Sequence, residues 1–241
     1  PARVGGATLL RTLFGEQPRP MTGRMADVYK EISRFANLMR ERITSGKDRD
    51  HRLRVYEIGA LGLLASLDEL EQSLYAARGY ALRIKKQSLA HMSREEQLDY
   101  FRYVYFDKNG FIRVFAILDK LGAFLNDALG LQTEKMKPQF SYFTVLRNMR
   151  QRRLHPSLSA ALDKLKEQYQ PQLTELRKRR NIEVHFMNTE MLDDLMQSRK
   201  SYGKPAKLEN IAEQVRQLED AFEMITASLC IAFRYVRSRM K

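Results

Sequence analysis

Apolar residues recur every three or four positions through most of the chain, which is the spacing of a helix that buries one side. The first run contains Met25, Val28, Ile32 and Phe35, and it predicts a helix over 22–43. Apolar and polar residues do not alternate over any useful length, as they would in a half-buried strand. The pattern therefore predicts an all-α protein.

The same spacing predicts further helices, several of which begin or end at local signals. Ser66 and Ser93 are each followed three residues later by a glutamate, which is the capping sequence that opens a helix. The Asp-Lys-Asn-Gly sequence at 107–110 indicates a turn between two helices. After an apolar stretch at 53–64, the predicted helices cover 67–77, 93–107, 111–130, 141–153, 157–169, 170–186 and 208–236. Together they predict an all-α helical bundle of about seven to eight helices with a long C-terminal helix.

The chain has 241 residues, which is the length of one large domain or two small ones. Three prolines and little periodicity mark 1–20, which we expect to be a flexible N-terminal arm. A polar stretch with Gly203 and Pro205 indicates a loop over 188–207. We predict a single helical domain over 21–241.

Basic residues exceed acidic ones, and the formal net charge is +13. The excess is concentrated, because 147–180 contains ten Lys or Arg against three Asp or Glu, a local charge of +7. Such a field attracts phosphates, although a run of charge is also typical of a solvated helical surface. We predict RNA as a partner. The predicted RNA-binding residues are Arg150, Arg152, Arg153, Arg177, Lys178 and Arg179.

Five aromatic residues lie within 100–106, and two interpretations fit them. Exposed rings would stack on nucleic-acid bases, whereas buried rings would pack in the core. Phe101 and Tyr105 lie on the same predicted helical side as Leu98, so we interpret them as core residues.

The composition argues against several classes of protein. A lone cysteine, Cys230, excludes an internal disulfide and fits a reducing compartment such as the cytoplasm. The four histidines, at 51, 91, 155 and 185, have no metal-ligand spacing, and no glycine-rich phosphate loop follows a strand. No apolar stretch reaches the roughly 18 residues of a spanning helix. We expect no metal, no cofactor, no membrane segment and a cytoplasmic location.

One short segment contains residue types that are common in catalytic sites. Arg180 and Asn181 are followed by His185 at the end of the most basic predicted helix, and Asn181 and His185 are one turn apart. On an ideal straight helix Arg180 and His185 diverge by about 140°. Both therefore line one cleft only if the helix ends or bends there, or if a second copy of the helix faces the first.

This segment resembles the HEPN superfamily, whose helical domains carry an arginine, four to six further residues and a histidine, often with a polar residue after the arginine. The resemblance implies a homodimer in which two motifs meet. It also implies a metal-independent endoribonuclease of the kind found in toxin–antitoxin, phage-defence and CRISPR systems, with a protein inhibitor or antitoxin as a further partner. Met187 stands where one branch has a tyrosine that a nucleotidyltransferase modifies, so membership of that branch is not favoured.

Arg150 and His155 form a second pair with the same spacing. Pro156 follows that histidine directly and moves it out of helical geometry, whereas the helix before Arg180 is uninterrupted. We therefore favour Arg180 and His185 as the functional pair, and Arg150 with His155 stays open as the alternative.

The predicted reaction is cleavage of RNA by attack of the adjacent 2′-hydroxyl, which needs no metal. Imidazole gains and loses a proton near neutral pH, so His185 is suited to the proton transfers. Arg180 is suited to the charged phosphate oxygens, and Asn181 to orienting His185 or the phosphate. One imidazole does not easily serve as base and acid in the same step, which gives a physical reason for two motifs across a two-fold axis.

Two non-catalytic alternatives remain open. One is a helical dimer that binds RNA, a nucleotide or a protein partner through the basic surface. The other is a coiled-coil contact through the apolar seam from Leu208 to Val236, although internal core is the favoured interpretation of that seam.

Overall fold

In a computed structural model, the described residues are Gly15, 22–186, Asn188, Glu190, Met191 and 208–240. Within them the chain forms seven α-helices, two short 3₁₀ turns and no strand. The helices are α1 (Gly23–Thr44), α2 (Arg52–Ala81), α3 (Arg94–Ala128), α4 (Tyr142–Gln151), α5 (Pro156–Gln168), α6 (Gln170–His185) and α7 (Ile211–Arg239). The predicted all-α fold with a long C-terminal helix is confirmed.

The described residues divide into two compact units. Unit 1 comprises 22–69, 114–169 and 222–240, and unit 2 comprises 70–113 with the described part of 170–221. The predicted arm, 1–20, lies outside the described residues except for Gly15, and so does 192–207 of the predicted polar loop. A single helical domain over 21–241 stays a prediction.

Aromatic rings from three helices meet in the core of unit 1. The ring of Phe35 in α1 lies 5.5 Å from that of Phe124 in α3 and 5.3 Å from that of Phe233 in α7, measured between centroids. Phe124 and Phe233 are stacked at 4.8 Å. Large rings bury the most apolar area per residue, so this contact ties α1, α3 and α7 together in the core of unit 1.

A second apolar cluster fills unit 2. Its largest members are Tyr80, Tyr100 and Tyr103, packed with Met92 and Val215. The Tyr103 hydroxyl donates to Gln214 Oε1 at 2.7 Å, so the buried phenol keeps a hydrogen-bond partner. The cluster joins α2, α3 and the first turns of α7 within unit 2.

The apolar seam of α7 is buried as the sequence analysis favoured. Val215, Leu218, Ile225, Leu229 and Phe233 are all nine-tenths or more inaccessible to solvent. The seam is therefore core, and it does not offer a coiled-coil surface to another protein.

The predicted helix start at Ser66 is wrong. Helix α2 runs without a break from Arg52 to Ala81, and Ser66 lies buried inside it, where its hydroxyl accepts a hydrogen bond from Lys120 Nζ at 2.7 Å. At Ser93 the prediction is confirmed, because its hydroxyl accepts from the Glu96 N–H at 3.2 Å as α3 begins. The same local sequence thus caps a helix only where the chain arrives in an extended conformation.

The predicted turn at 107–110 is also wrong, because α3 continues through it to Ala128. Gly110 is buried in the middle of this helix, and a Cβ atom there would lie 2.6 Å from Cδ2 of Leu218 in α7. The glycine therefore allows close helix packing and does not mark a turn. Asn109 accepts a hydrogen bond from Arg113 Nε at 2.7 Å, which is a contact within the helix.

The core interpretation of Phe101 and Tyr105 is wrong as well. Tyr100 and Tyr103 point into unit 2, whereas Leu98, Phe101 and Tyr105 are exposed. Helix α3 carries aromatic residues on both sides, so its period alone does not tell which side faces inward.

A paired substitution tests the tight packing of α3 in unit 1. A Cβ on Gly122 would lie 2.8 Å from the Cα and 3.1 Å from the backbone nitrogen of Tyr142. We expect Gly122→Ala to lower the free energy of unfolding by roughly 1–3 kcal/mol, because backbone atoms cannot move aside easily. Exposed Gly62 in α2 has no atom within 4 Å of such a Cβ, so Gly62→Ala should raise stability by roughly 0.5–1 kcal/mol. Urea denaturation measures both, and equal midpoints for the two variants would contradict this account of Gly122.

Candidate functional site

Helix α6, Gln170–His185, carries the predicted motif at its C-terminal end. Leu173 and Leu176 are fully buried and fix which side of the helix faces the core of unit 2. Arg180 follows on that side by the helical repeat and is half-buried, while Asn181 and His185 are exposed.

A buried ion pair anchors α6 to α3. The Arg179 guanidinium contacts the Asp107 carboxylate, and its side chain is only 13% exposed against 3% for that of Asp107. The guanidinium also lies over the ring of Phe111, 4.8 Å from its centroid. Burial raises the pKa of Asp107, and the adjacent Arg179 charge opposes that rise. The negative charge of Asp107 therefore depends on the presence of Arg179.

Lys108, the next residue along α3, holds the end of the motif segment. Its ammonium lies 3.0 Å from Glu183 Oε1 and 2.7 Å from Glu190 Oε2. Glu183 lies between Arg180 and His185, and Glu190 follows the helix. The helix end and the chain after it are thus held by one cation that is mostly buried.

The motif helix stays regular to its last residue. The N–H of Phe186 still donates to the Ile182 carbonyl at 2.9 Å, so α6 does not bend between Arg180 and His185. On a regular helix these two side chains leave the axis about 140° apart. A single copy therefore places Arg180 and His185 on different sides of α6, with Asn181 and His185 as neighbours.

The predicted RNA-binding residues have different environments. Four are exposed on their helices or turns, and two are part-buried. The exposed ones are Arg150, Arg152, Arg153 and Lys178, and the part-buried ones are Arg177 and Arg179. Arg152 donates to the Leu131 carbonyl at 3.0 Å, and Arg179 is engaged by Asp107 as described above.

A polar cavity of about 270 Å³ lies beside α6 in unit 2. Its wall contains five carboxylates and three cations, so its charge does not suit a nucleotide phosphate. The charged lining residues are Asp107, Glu175, Glu190, Glu209 and Glu213, with Lys108, Lys178 and Arg179. Sequence reasoning missed Asp107 and Lys108, whose only local signal pointed to a turn.

The alternative pair lies in unit 1 and is arranged differently. Arg150 Nη1 is 3.5 Å from Asp163 Oδ1. His155 precedes α5 with a φ of 45°, and its Nδ1 is 2.9 Å from the Tyr235 hydroxyl. Partial burial and Arg239 lower the pKa of His155, and a hydrogen bond with the backbone of Leu129 opposes that change. His155 is thus part-buried and paired with Tyr235, whereas His185 is exposed.

Metal-ligand clusters and membrane-spanning helices are both absent from the described residues. No group of three or more His, Cys, Asp or Glu side chains in that part of the chain is arranged to hold a metal ion. Among the helices described, none combines the length and the apolar character that crossing a bilayer requires.

An all-helical chain with Arg, Asn and His spaced in this way at the end of a helix has the features of the HEPN superfamily. The match to known families agrees, since 59–237 fits the family model described as Cthe2314-like HEPN. The chain therefore belongs to the Cthe2314-like HEPN family. The matched range includes both arginine–histidine pairs. No curated protein and no solved structure matches the chain.

The buried ion pair gives a prediction on stability. Asp107→Asn keeps the shape of the side chain but leaves Arg179 as a buried charge without its counter-ion, so we expect a loss of roughly 3–5 kcal/mol in the free energy of unfolding. Glu213→Gln is the matched control, because its pair with Arg216 is largely exposed to water and should contribute little to stability. Urea denaturation measures the free energy of unfolding of both variants. Equal losses would show that the buried Asp107 pair contributes no more to stability than the exposed Glu213 pair.

His155 gives a prediction on pH dependence. The pKa of His155 in the folded chain lies below the ordinary 6.5, so the unfolded chain takes up a proton at this histidine more readily than the folded chain does. The contribution of His155 to stability is therefore fully present above pH 6.5 and declines as the pH falls toward the pKa of the folded chain. Asparagine tolerates the left-handed backbone at this position. We expect the stability difference between wild type and His155→Asn to be smaller at acidic than at neutral pH, measured by thermal denaturation. A difference that grows on acidification would contradict the lowered pKa.

Proposed function

We propose that the protein is a metal-independent endoribonuclease that cleaves RNA at a site composed of two copies of the chain. The observation that carries the proposal is the position of His185, exposed at the end of a regular helix whose other side is fixed by Asp107 and Lys108. Membership of the HEPN family supports it. Arg180 with His185 is preferred over Arg150 with His155, because His185 is accessible to a substrate.

The chemistry assigns a role to each motif residue. The 2′-hydroxyl of one nucleotide attacks the adjacent phosphorus, its proton leaves, and the 5′-oxygen of the next nucleotide is protonated as its bond to phosphorus breaks. His185 performs the proton transfers, and Arg180 stabilises the extra negative charge on the non-bridging oxygens. Asn181 orients His185 or the phosphate. The products are a 2′,3′-cyclic phosphate and a 5′-hydroxyl.

The geometry of α6 is the reason for two copies. Because the helix does not bend, Arg180 and His185 of one chain diverge, and one imidazole cannot easily give and take a proton in the same step. A second copy that faces the first supplies the missing group. We therefore include a homodimer in the proposed function.

Basic residues hold the RNA backbone in this proposal. Exposed Lys178 lies on the motif helix, and Arg177 lies beside it. Arg150, Arg152 and Arg153 form an exposed basic turn in unit 1. Each phosphate that they neutralise releases counter-ions, so RNA binding should weaken steeply with salt.

The biological setting follows from the family and belongs to the same proposal. HEPN ribonucleases serve as toxins and as phage-defence effectors, so a protein inhibitor or antitoxin is the expected partner. The half-buried lone thiol of Cys230 suits the cytoplasm, where thiols stay reduced.

The decisive experiment incubates purified protein with mixed-sequence single-stranded RNA in excess EDTA. We expect His185→Ala and Arg180→Ala each to reduce cleavage by at least about 100-fold, the usual range for a lost general acid or a lost charge stabiliser. His91→Ala is the matched control, since His91 is also exposed in unit 2 but lies outside the motif.

An all-deoxy substrate should bind but remain intact, because it lacks the attacking hydroxyl. Full activity in His185→Ala would overturn the assignment. Salt-dependent binding of RNA without turnover by the wild type would favour the non-catalytic dimer.

A further inference from the structure

Helix α3 presents two aromatic side chains to solvent within unit 2. Phe101 and Tyr105 are 55% and 61% exposed. They are four residues apart, so they lie on one side of the helix, and their positions differ by about 6 Å along its axis. Large aromatic side chains are ordinarily covered, so two aligned ones that remain in water indicate a surface for a ligand. We use the name ring platform for Phe101 and Tyr105.

Aromatic residues of the unit 2 core pack against the ring platform. Phe101 lies 5.8 Å from Tyr100 and Tyr105 lies 5.1 Å from Phe106, measured between ring centroids. Phe106 is in turn stacked on Tyr80 of α2 at 5.9 Å. Tyr80 and Tyr100 are members of the buried cluster, and Phe106 packs against it. Because these neighbours are fixed in the core, ordering the exposed rings for a ligand costs little conformational entropy.

Two arginines of unit 2 share one carboxylate that neutralises only half of their charge. Arg102 Nη1 is 3.1 Å and Arg83 Nη1 is 3.9 Å from the same oxygen, Oδ1 of Asp99. The carboxylate is buried, whereas the side chains of Arg102 and Arg83 are 53% and 64% exposed. Two guanidiniums against one carboxylate leave a charge of +1 at the surface, which attracts an anion.

The cations lie beside the ring platform. Arg102 follows Phe101 directly and is three residues before Tyr105, so it is a neighbour of the ring platform on the helix surface. Exposed Arg94 is two turns earlier on the same side of α3. Over 83–106 the chain contains five Lys or Arg against three Asp or Glu. Flat rings flanked by cations match the two parts of a nucleotide, its base and its phosphate.

A protein partner is the other use to which exposed aromatic residues are put. The charge around the ring platform favours a polyanion, because the positive charge shared by Arg83 and Arg102 adds to the net charge of +13 on the whole chain. Of the two partners, RNA therefore fits the local chemistry better.

We infer that unpaired bases of a bound RNA strand stack on the ring platform, while Arg83 and Arg102 hold the adjoining phosphates. This inference deepens the proposed function and rests on it in one respect, the choice of RNA as the partner. It narrows the substrate class to RNA with unpaired bases, because the bases of a duplex stack on one another and offer no free face. It also adds a binding surface outside 147–180, the most basic stretch of the chain.

The test measures how tightly the full chain binds a single-stranded 2′-O-methyl RNA, which lacks the attacking hydroxyl and therefore stays intact. The strand carries one 2-aminopurine among uridines. We expect the double variant Phe101→Leu/Tyr105→Leu to raise Kd by at least about 10-fold, because leucine keeps the side chains apolar but removes the rings on which bases stack. The fluorescence of 2-aminopurine, which stacking quenches, should fall more on binding to the wild type than on binding to this variant.

Salt dependence separates stacking from charge. Phe101 and Tyr105 are neutral, so the double variant should keep the wild-type slope of the logarithm of the binding constant against the logarithm of salt concentration. Arg83→Gln should reduce that slope by about one, because it removes one phosphate contact. Ile58→Ala is the matched control, since Ile58 is an apolar residue of unit 1 that is 62% exposed, and it should change neither Kd nor the slope.

A duplex of the same sequence tests the requirement for unpaired bases. It should bind the wild type and the double variant equally, and circular dichroism checks that the variants fold. A double variant that binds the single strand as tightly as the wild type overturns the inference, and so does an equal loss for strand and duplex. Unchanged binding of RNA with a changed sedimentation coefficient would assign the ring platform to a protein contact instead.

Cleavage of ordinary RNA by His185→Ala separates this inference from the proposed function. If His185→Ala cleaves normally, the proposed nuclease site falls, while weaker binding of the intact strand by the double variant still supports the ring platform. If the double variant binds as the wild type does and His185→Ala is inactive, the ring platform falls and the nuclease site stands. A wild type that binds no RNA overturns both.

Discussion

The placement of the motif depends on one buried ion pair, between Asp107 of α3 and Arg179 of α6. Two charges withdrawn from water are costly unless each satisfies the other, so the pair favours the position of α6 along α3 in which they meet. Phe111 beneath the guanidinium and Lys108 beside it extend the contact over more than one helical turn. The buried pair thereby helps to position the exposed motif residues, Asn181 and His185.

Helix content could be predicted from the sequence, because period and composition are local properties. The positions at which helices begin and end were less predictable. Ser66 has a capping sequence but lies inside α2, and the Asp-Lys-Asn-Gly sequence at 107–110 lies inside α3. In the folded protein these segments contact Lys120, Arg179 and Leu218. All three partners are far away in sequence, so a short segment carries no information about them. Tertiary contact overrode the local preference in both places.

The candidate site is limited for the same reason. Residue type and spacing predict Arg180, Asn181 and His185 on one helix; the helix is confirmed, and the role of the three residues stays a prediction. Nothing local distinguished Arg179, which is held by Asp107, from its exposed neighbour Lys178. Phe101 and Tyr105 were assigned to the core because α3 has aromatic rings on both sides, and only packing decides which side is covered.

Gly110 has an effect beyond its own contact. Its missing side chain lets α3 approach Leu218 of α7, and Leu218 lies one turn after Gln214, which lines the polar cavity of unit 2. A larger residue at this position would meet the ends of the Leu218 side chain first, and either that leucine or the helix that carries it would have to shift. The distance between α3 and α7 near the polar cavity is therefore limited by a side chain that is absent.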